Sequence, residues 1–356
     1  MNSKKYVIGF IILVGLFFWG NVCLWYACTR ESFVMPDGHG DLTRMAFMPN
    51  RMPAMRNYKP NKKHIEFRDY INMKDKPSVD IVTLGDSFSN GGAGAYYQDY
   101  IAEHYNKNIL NLPVMEDGNP LTVLNRLIDT GILEEIRPKV VILESVERAA
   151  AKRLGMPLGS NASMTKDDFI KFFMPSTSNI KDKSEGVFPA LMMSANKKMV
   201  NVKLKYNSNE NQLSDEVYRA TLIKNMFSDK SRENMLLYYC DDLWYKAADI
   251  DYSQLNNNLN IFADKLKVMG IHLIVMINVD KFDLYYPYIV DSAQNTENNF
   301  MEELAKQQKR YYYIDTKAIL RNELAKGETD IYWQDDTHWS WKAQHKVADV
   351  IMDNIR

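Results

Sequence analysis

Short apolar runs, each closed by a polar turn and separated by helical patterning, constrain the fold of this chain more than anything else in it. Residues 80–84, 108–112, 139–143, 271–277 and 311–314 read as strands. The 139–143 run is continuously apolar, as strands buried on both faces of a parallel sheet are. Residues 96–105, 121–136 and 342–355 read as helices. Leu255, Leu259, Phe262 and Leu266 line one face of another helix, which Gly270 ends. Strands alternating with helices predict an α/β fold with a mostly parallel sheet wrapped on both faces. In such sheets, ligands bind at the carboxyl ends of the strands.

Two polar stretches fall where that rule gives them meaning. Leu84 leads into Gly85-Asp86-Ser87 at the end of the first strand. Far downstream stands Asp335-Asp336-Thr337-His338-Trp339. A serine hydroxyl is a poor nucleophile until a base takes its proton and N–H donors hold the developing oxyanion. Ser87 is the candidate nucleophile, with its own backbone N–H at a helix start. Gly91, Gly92 and Gly94 follow, and Gly92 is a candidate oxyanion donor. On its own the tripeptide also fits an ordinary turn.

His338 is the candidate base. Of the six histidines, His39 and His64 fall in a polar lead, while His104, His272 and His345 fall within a helix, a strand start and a helix; these five read as structural or solvated. Either Asp335 or Asp336 could orient the imidazole, and either could instead cap the last helix. Arg148, after the third strand, could bind an acyl oxygen or a sugar, or pair with Glu144 or Glu147. Lys281 could contact substrate or pair with Asp283. Tyr285, Tyr286, Trp333, Trp339 and Trp341 could stack on sugar rings, Trp339 foremost; aromatics also fill cores.

Residues 6–28 contain no charge and follow Lys4 and Lys5. They are long enough to cross a bilayer. The distal Trp25 and Tyr26 suit a membrane interface better than a signal-peptide cleavage site. The expected layout is a 1–5 cytoplasmic tail, a 6–28 single-pass anchor, a 29–75 tether rich in proline that can pack on the domain, and a 76–356 catalytic domain outside the membrane. An insertion at about 151–240 is expected to be partly helical and to shape the substrate side. Lys and Arg (44) nearly cancel Asp and Glu (45), which leaves no basic stripe for nucleic acid. Cys23 and Cys28 fall in the anchor, and Cys240 reads as a buried small hydrophobe, so neither a disulfide within the domain nor a cysteine metal cluster is expected.

Gly85-Asp86-Ser87 with a C-terminal Asp-x-His resembles the SGNH/GDSL hydrolase superfamily. Asp336-Thr337-His338-Trp339-Ser340 is similar, more narrowly, to the SGNH-like domains of alginate O-acetyltransferases, and the layout is more loosely similar to the D-alanyl transfer protein of teichoic acid synthesis. The resemblance implies an SGNH-hydrolase-like three-layer sandwich and a Ser87–His338–Asp336 triad. It implies no cofactor. It also implies a polysaccharide acceptor and a multi-spanning membrane acyltransferase as acyl-donor partner. Two departures stand. The Gly-x-Asn-Asp block of ordinary members reads Glu144-Ser145-Val146-Glu147 here, so their oxyanion asparagine is missing. The Asp-His pair follows the serine, as in the hydrolases. The expected function is extracytoplasmic O-acylation, most simply O-acetylation, of a polysaccharide. Ester hydrolysis by the same triad and non-catalytic polymer binding in an export complex are the alternatives.

Overall fold

A computed structural model describes residues 3–28, 40–46, 60–90, 96–114, 119–156, 164–174, 190–229, 232–247, 249–292 and 296–355. Its strands are β1 (Ile65–Glu66), β2 (Ile81–Gly85), β3 (Ile109–Pro113), β4 (Val140–Val146), β5 (Val217–Thr221), β6 (Met235–Tyr239), β7 (His272–Asn278) and β8 (Tyr312–Asp315). Six of them form one parallel sheet in the order β1-β3-β2-β4-β7-β8. Every residue of β2 and β4 is buried, so both faces of the sheet are covered. The α/β expectation therefore holds, with strand ends within one residue of those read from patterning except at β4, which runs three residues further.

The chain leaves β2 for β3 on one side, then crosses to β4 on the other. That reversal opens a crevice at the carboxyl ends of β2 and β4, the place where open parallel sheets bind ligands. Ser87 follows β2 directly.

The expected 121–136 helix is broken in two. Gly131, at φ 73°, separates Pro120–Asp129 from Ile132–Ile136. A left-handed residue cannot continue a helix, and glycine takes that conformation without a Cβ penalty.

The described parts of the tether pack on the domain. Residues 65–66 form the edge strand β1, paired with Leu110 and Asn111, and Phe67–Asn72 is a helix that buries Phe67 and Tyr70. Residues 40–46 dock as well. Leu42 and Ala46 are fully buried with Val202, Leu213, Val217 and Leu237 in a small second core.

That core is made largely by the insertion. The insertion supplies helices Lys166–Phe173 and Ala190–Asn207 and the antiparallel hairpin β5–β6. The hairpin's strands divide their faces between that small core, through Val217 and Leu237, and the main core, through Leu236 and Tyr238, and β5 carries Arg219 and Thr221 in place of an apolar run. Cys240 is half-buried rather than a core residue.

The N-terminal helix Ser3–Cys28 is long and apolar enough to span a membrane over Ser3–Leu24, and the side chains of that window are not buried within the protein. It touches the insertion through Asn196, whose amide donates to the Asn21 carbonyl at 2.8 Å.

Candidate active site

Gly85-Asp86-Ser87 is built so that one residue reacts and two hold it. A Cβ on Gly85 would fall 2.1 Å from Glu144 Oε2 and 2.3 Å from Ser89 Oγ, so only glycine fits there. Glu144 Oε2 accepts the Asp86 N–H at 2.9 Å and the Ser89 hydroxyl at 2.8 Å, while the Asn278 amide donates to Oε1 at 2.6 Å. Burial, then the Asp86 charge, pushes the Glu144 carboxyl well above its ordinary range. Asp86 turns away from the reacting face. Its carboxylate accepts the Val146 N–H at 2.8 Å and pairs with Arg153 at 2.5 Å, which ties β2 to β4. Burial works against its charge, but Arg153 and these N–H donors hold the carboxyl below its ordinary value.

A Gly85→Ala substitution is therefore expected to destabilise the protein by about 3 kcal/mol, because the added methyl must displace a buried hydrogen-bonded carboxyl. Denaturant unfolding measures this; a wild-type midpoint would mean that Glu144 moves aside freely.

Ser87 opens the short helix Ser87–Asn90 and is exposed. His338 Nε2 lies 2.8 Å from its Oγ. Asp336 Oδ1 lies 2.7 Å from Nδ1 on the other side of the ring, and it also accepts the His338 backbone N–H at 3.0 Å. That double contact explains the Asp-x-His spacing. A carboxylate two residues upstream can hold backbone and ring of one histidine together, as an Asx turn does. It fixes Nδ1 as the protonated nitrogen and leaves Nε2 to accept the serine proton. Phe88 packs on the imidazole at 4.9 Å between centroids, and Trp339 packs edge-on against Phe88 at 5.2 Å.

The predicted Ser87, His338 and Asp336 thus come together in hydrogen-bond order. Other expectations are corrected. Asp335 does not reach the ring; its Oδ2 accepts the Gly40 N–H at 2.8 Å. Trp339 is 1% exposed and is the wall behind Phe88, so it offers no face to a sugar. Tyr285 and Trp333 are buried too.

Lys281 is also buried and touches neither substrate space nor Asp283. Its ammonium donates to the carbonyls of Trp333, Gln334 and Asp336 at 2.7, 2.7 and 3.0 Å. Asp283 pairs with Lys317 at 2.8 Å instead. Arg148 pairs with Asp280 at 2.6 Å and lies 3.4 Å from Asp242, not with Glu144 or Glu147; both carboxylates come from segments distant in sequence.

Gly92 lies outside the described residues, as do Gly91, Gly94 and His39. Among the described residues the Ser87 N–H has no hydrogen-bond acceptor, so it is available to an oxyanion. Val146, in the place of the missing asparagine, gives its backbone N–H to Asp86, and Glu144, two residues before it, is spent on holding the turn. The other described histidines serve elsewhere. His64 is clamped between Asp99 and Glu66, and His104 and His345 flank the Tyr100 ring. His272 begins β7.

One site residue was missed. Asp41 Oδ2 lies 3.6 Å from His338 Nδ1, and its carboxylate accepts both the Thr337 N–H, at 2.7 Å, and the Thr337 hydroxyl. Burial, then repulsion by Asp336, raises its carboxyl to about 6. Among the described residues, Asp41, Asp336 and His338 are also the one trio of acidic, histidine or cysteine donors close enough to hold a metal ion, although these donors already bond to each other and to Thr337.

Burial by itself would lower the His338 pKa. The Asp336 hydrogen bond, reinforced by the Asp336 and Asp41 charges, overcomes burial and the opposing Arg148 charge and raises it above the ordinary 6.5. A base must be neutral to act, so raising its pKa moves activity to higher pH. The acid limb of a kcat/KM profile should therefore have its midpoint above that of a free imidazole; a midpoint at or below the free value would contradict this arrangement.

No protein-family model matches the chain, and no curated protein does. Solved structures with similar backbones include a Bacteroides fragilis protein provisionally assigned as an acylhydrolase. It is 9% identical at TM-score 0.36, over 81% of this chain and 91% of that one. Another is a mutant of an acetylxylan esterase from Geobacillus stearothermophilus, 11% identical at TM-score 0.32, over 80% of this chain and 96% of that one. Similarity this low leaves the chemistry to be read from the side chains.

Proposed function

We propose that this chain is an SGNH-type serine enzyme that transfers an acyl group, most simply acetyl, from an ester donor to a polysaccharide hydroxyl through a Ser87 acyl-enzyme. The observation that carries the reading is the unbroken Ser87 Oγ–His338 Nε2–Nδ1–Asp336 chain of 2.8 and 2.7 Å contacts. His338 takes the Ser87 proton as Oγ bonds to the acyl carbon, and gives that proton to the departing alkoxide. In the second half it takes the acceptor's hydroxyl proton, the acceptor oxygen displaces Ser87, and the proton returns to Oγ. Asp336 stays ionised throughout and stabilises the imidazolium.

Ser87 is exposed at the crevice mouth, which suits a polymeric acceptor too large for an enclosed pocket. The apolar N-terminal helix supports a membrane-tethered enzyme; work outside the membrane beside a multi-spanning acyltransferase is part of the same proposal. The same exposure lets water compete as acceptor, which favours ester hydrolysis as the second reading.

The full chain in detergent, given an acetyl ester with and without oligosaccharide, separates the two. Acetylated oligosaccharide supports transfer, and free acetate alone supports hydrolysis. If neither forms and a serine-directed phosphonate fails to label Ser87, the catalytic reading falls and polymer binding without catalysis replaces it.

A further inference from the structure

We infer that Asp41, on the segment between the apolar helix and the sheet, is a positioning residue of the triad that braces the Thr337–His338 turn and sets a second carboxylate beside the protonated side of the imidazole. The inference deepens the acyl-transfer reading and rests on the triad assigned there.

The segment is fixed at several points. A Cβ on Gly40 would fall 1.8 Å from the Asp335 carbonyl oxygen, so only glycine allows that approach. The Gly40 N–H reaches Asp335 Oδ2, and the Thr43 N–H reaches the Asp335 carbonyl at 3.3 Å. Leu42 and Ala46 are buried beneath it. Asp41 is thereby held with Oδ1 on the Thr337 N–H and Oδ2 between the Thr337 hydroxyl and the imidazole. The imidazole is met from every neighbouring element. Asp336 belongs to its own loop and Asp41 to the docked segment. Arg148 comes from the helix after β4, while Ser87 and Phe88 come from the helix after β2. Lys281, from the helix after β7, feels Asp335, Asp336 and Asp41 together.

When His338 takes the serine proton, Asp41 adds a second negative charge near the new imidazolium. Charge aimed at a developing charge in a partly dry site lowers the barrier without affecting ground-state binding. The raised carboxyl of Asp41, at about 6, means that it supplies this charge only above that pH.

The test is NMR titration of the His338 ring in the full chain in detergent, in a Ser87→Ala background that needs no turnover. His338→Gln identifies the signal. Asp41→Asn keeps the shape and an acceptor for Thr337, and should lower the His338 midpoint. Thr337→Val removes the hydroxyl but keeps the charge, and should leave the midpoint near that of the parent. In chains with Ser87 intact, Asp41→Asn should reduce kcat about tenfold with KM unchanged and move the acid limb to lower pH. An unchanged midpoint in Asp41→Asn, or an equal fall in Thr337→Val, overturns the inference and leaves the triad standing. Should Asp41→Asn fail to fold, the parent titration decides: the His338 signal must show a second step on the acid side of its own midpoint, as Asp41 loses its charge, and a single-step curve overturns the role. Absence of any ester turnover by the unmutated chain would instead count against the triad reading.

Discussion

Ser87→Ala is expected to reduce ester turnover by about 10⁴-fold or more while the protein folds and unfolds as before. The two halves of that expectation have different causes. Ser87 is exposed, and among the described residues its side chain bonds to His338, so losing its oxygen removes little from the core and should change stability by no more than about 0.5 kcal/mol. Turnover behaves otherwise, because the covalent intermediate cannot form without that oxygen. His338→Gln should cost a similar factor, since a serine without its base is not activated. The double variant should be no worse than either single one, because residues that act as a unit lose their effect together. Initial rates with an acetyl ester, measured beside thermal unfolding, test all three variants. Turnover by Ser87→Ala within tenfold of the parent would sink the assignment of the nucleophile.

The parts of this site that could be read from sequence are those whose chemistry is local. β2 and β4 are legible because a strand buried on both faces is apolar along its length. Ser87 is legible because it closes such a strand at the edge where ligands bind. Asp336 and His338 are legible because their two-residue spacing makes the orienting contact within one turn. The parts that were missed depend on packing between distant segments. Asp41 sits among glycines and prolines, and nothing near it announces that it will meet Thr337, 296 residues further along the chain. β1 has two residues, too few to show a period. Arg148 and Lys281 were given carboxylate partners close in sequence, whereas the fold gives Arg148 two distant carboxylates and gives Lys281 carbonyl oxygens that no residue type encodes. Trp339 has the composition of a sugar platform but lies one residue beyond a histidine whose ring must be held from behind, and Phe88 with Trp339 supplies that support.

Lys281→Met should cost both stability and catalysis, because Lys281 is the clamp beneath the His338 loop. Its ammonium holds three carbonyls, those of Trp333, Gln334 and Asp336, and it is 1% exposed. Burial pulls its pKa down to about 8 against the pull of Asp335, Asp336 and Asp41, so near pH 7 it still carries the proton that lets it serve three acceptors. Methionine fills similar space and keeps the packing on Phe227, whose ring lies 5.6 Å from the ammonium. Removing a buried charge recovers its desolvation cost, and this gain opposes the loss. Three carbonyls are nevertheless left without their donor, at roughly 1–3 kcal/mol each where water cannot reach them. The losses should win, by about 2–4 kcal/mol, since a buried charge replaced alone leaves its partners behind. The catalytic cost follows from position. Asp336 and His338 sit on the freed strand of loop, and a shift of about 1 Å at either is enough for roughly a hundredfold loss in kcat. Denaturant unfolding with parallel rate measurements checks both numbers. A variant that is less stable yet fully active would show that Asp41, Asp336 and the Tyr332–Trp339 bridge hold the histidine without the clamp. The expected result is loss of both, with the Ser87–His338 contact the first thing to loosen.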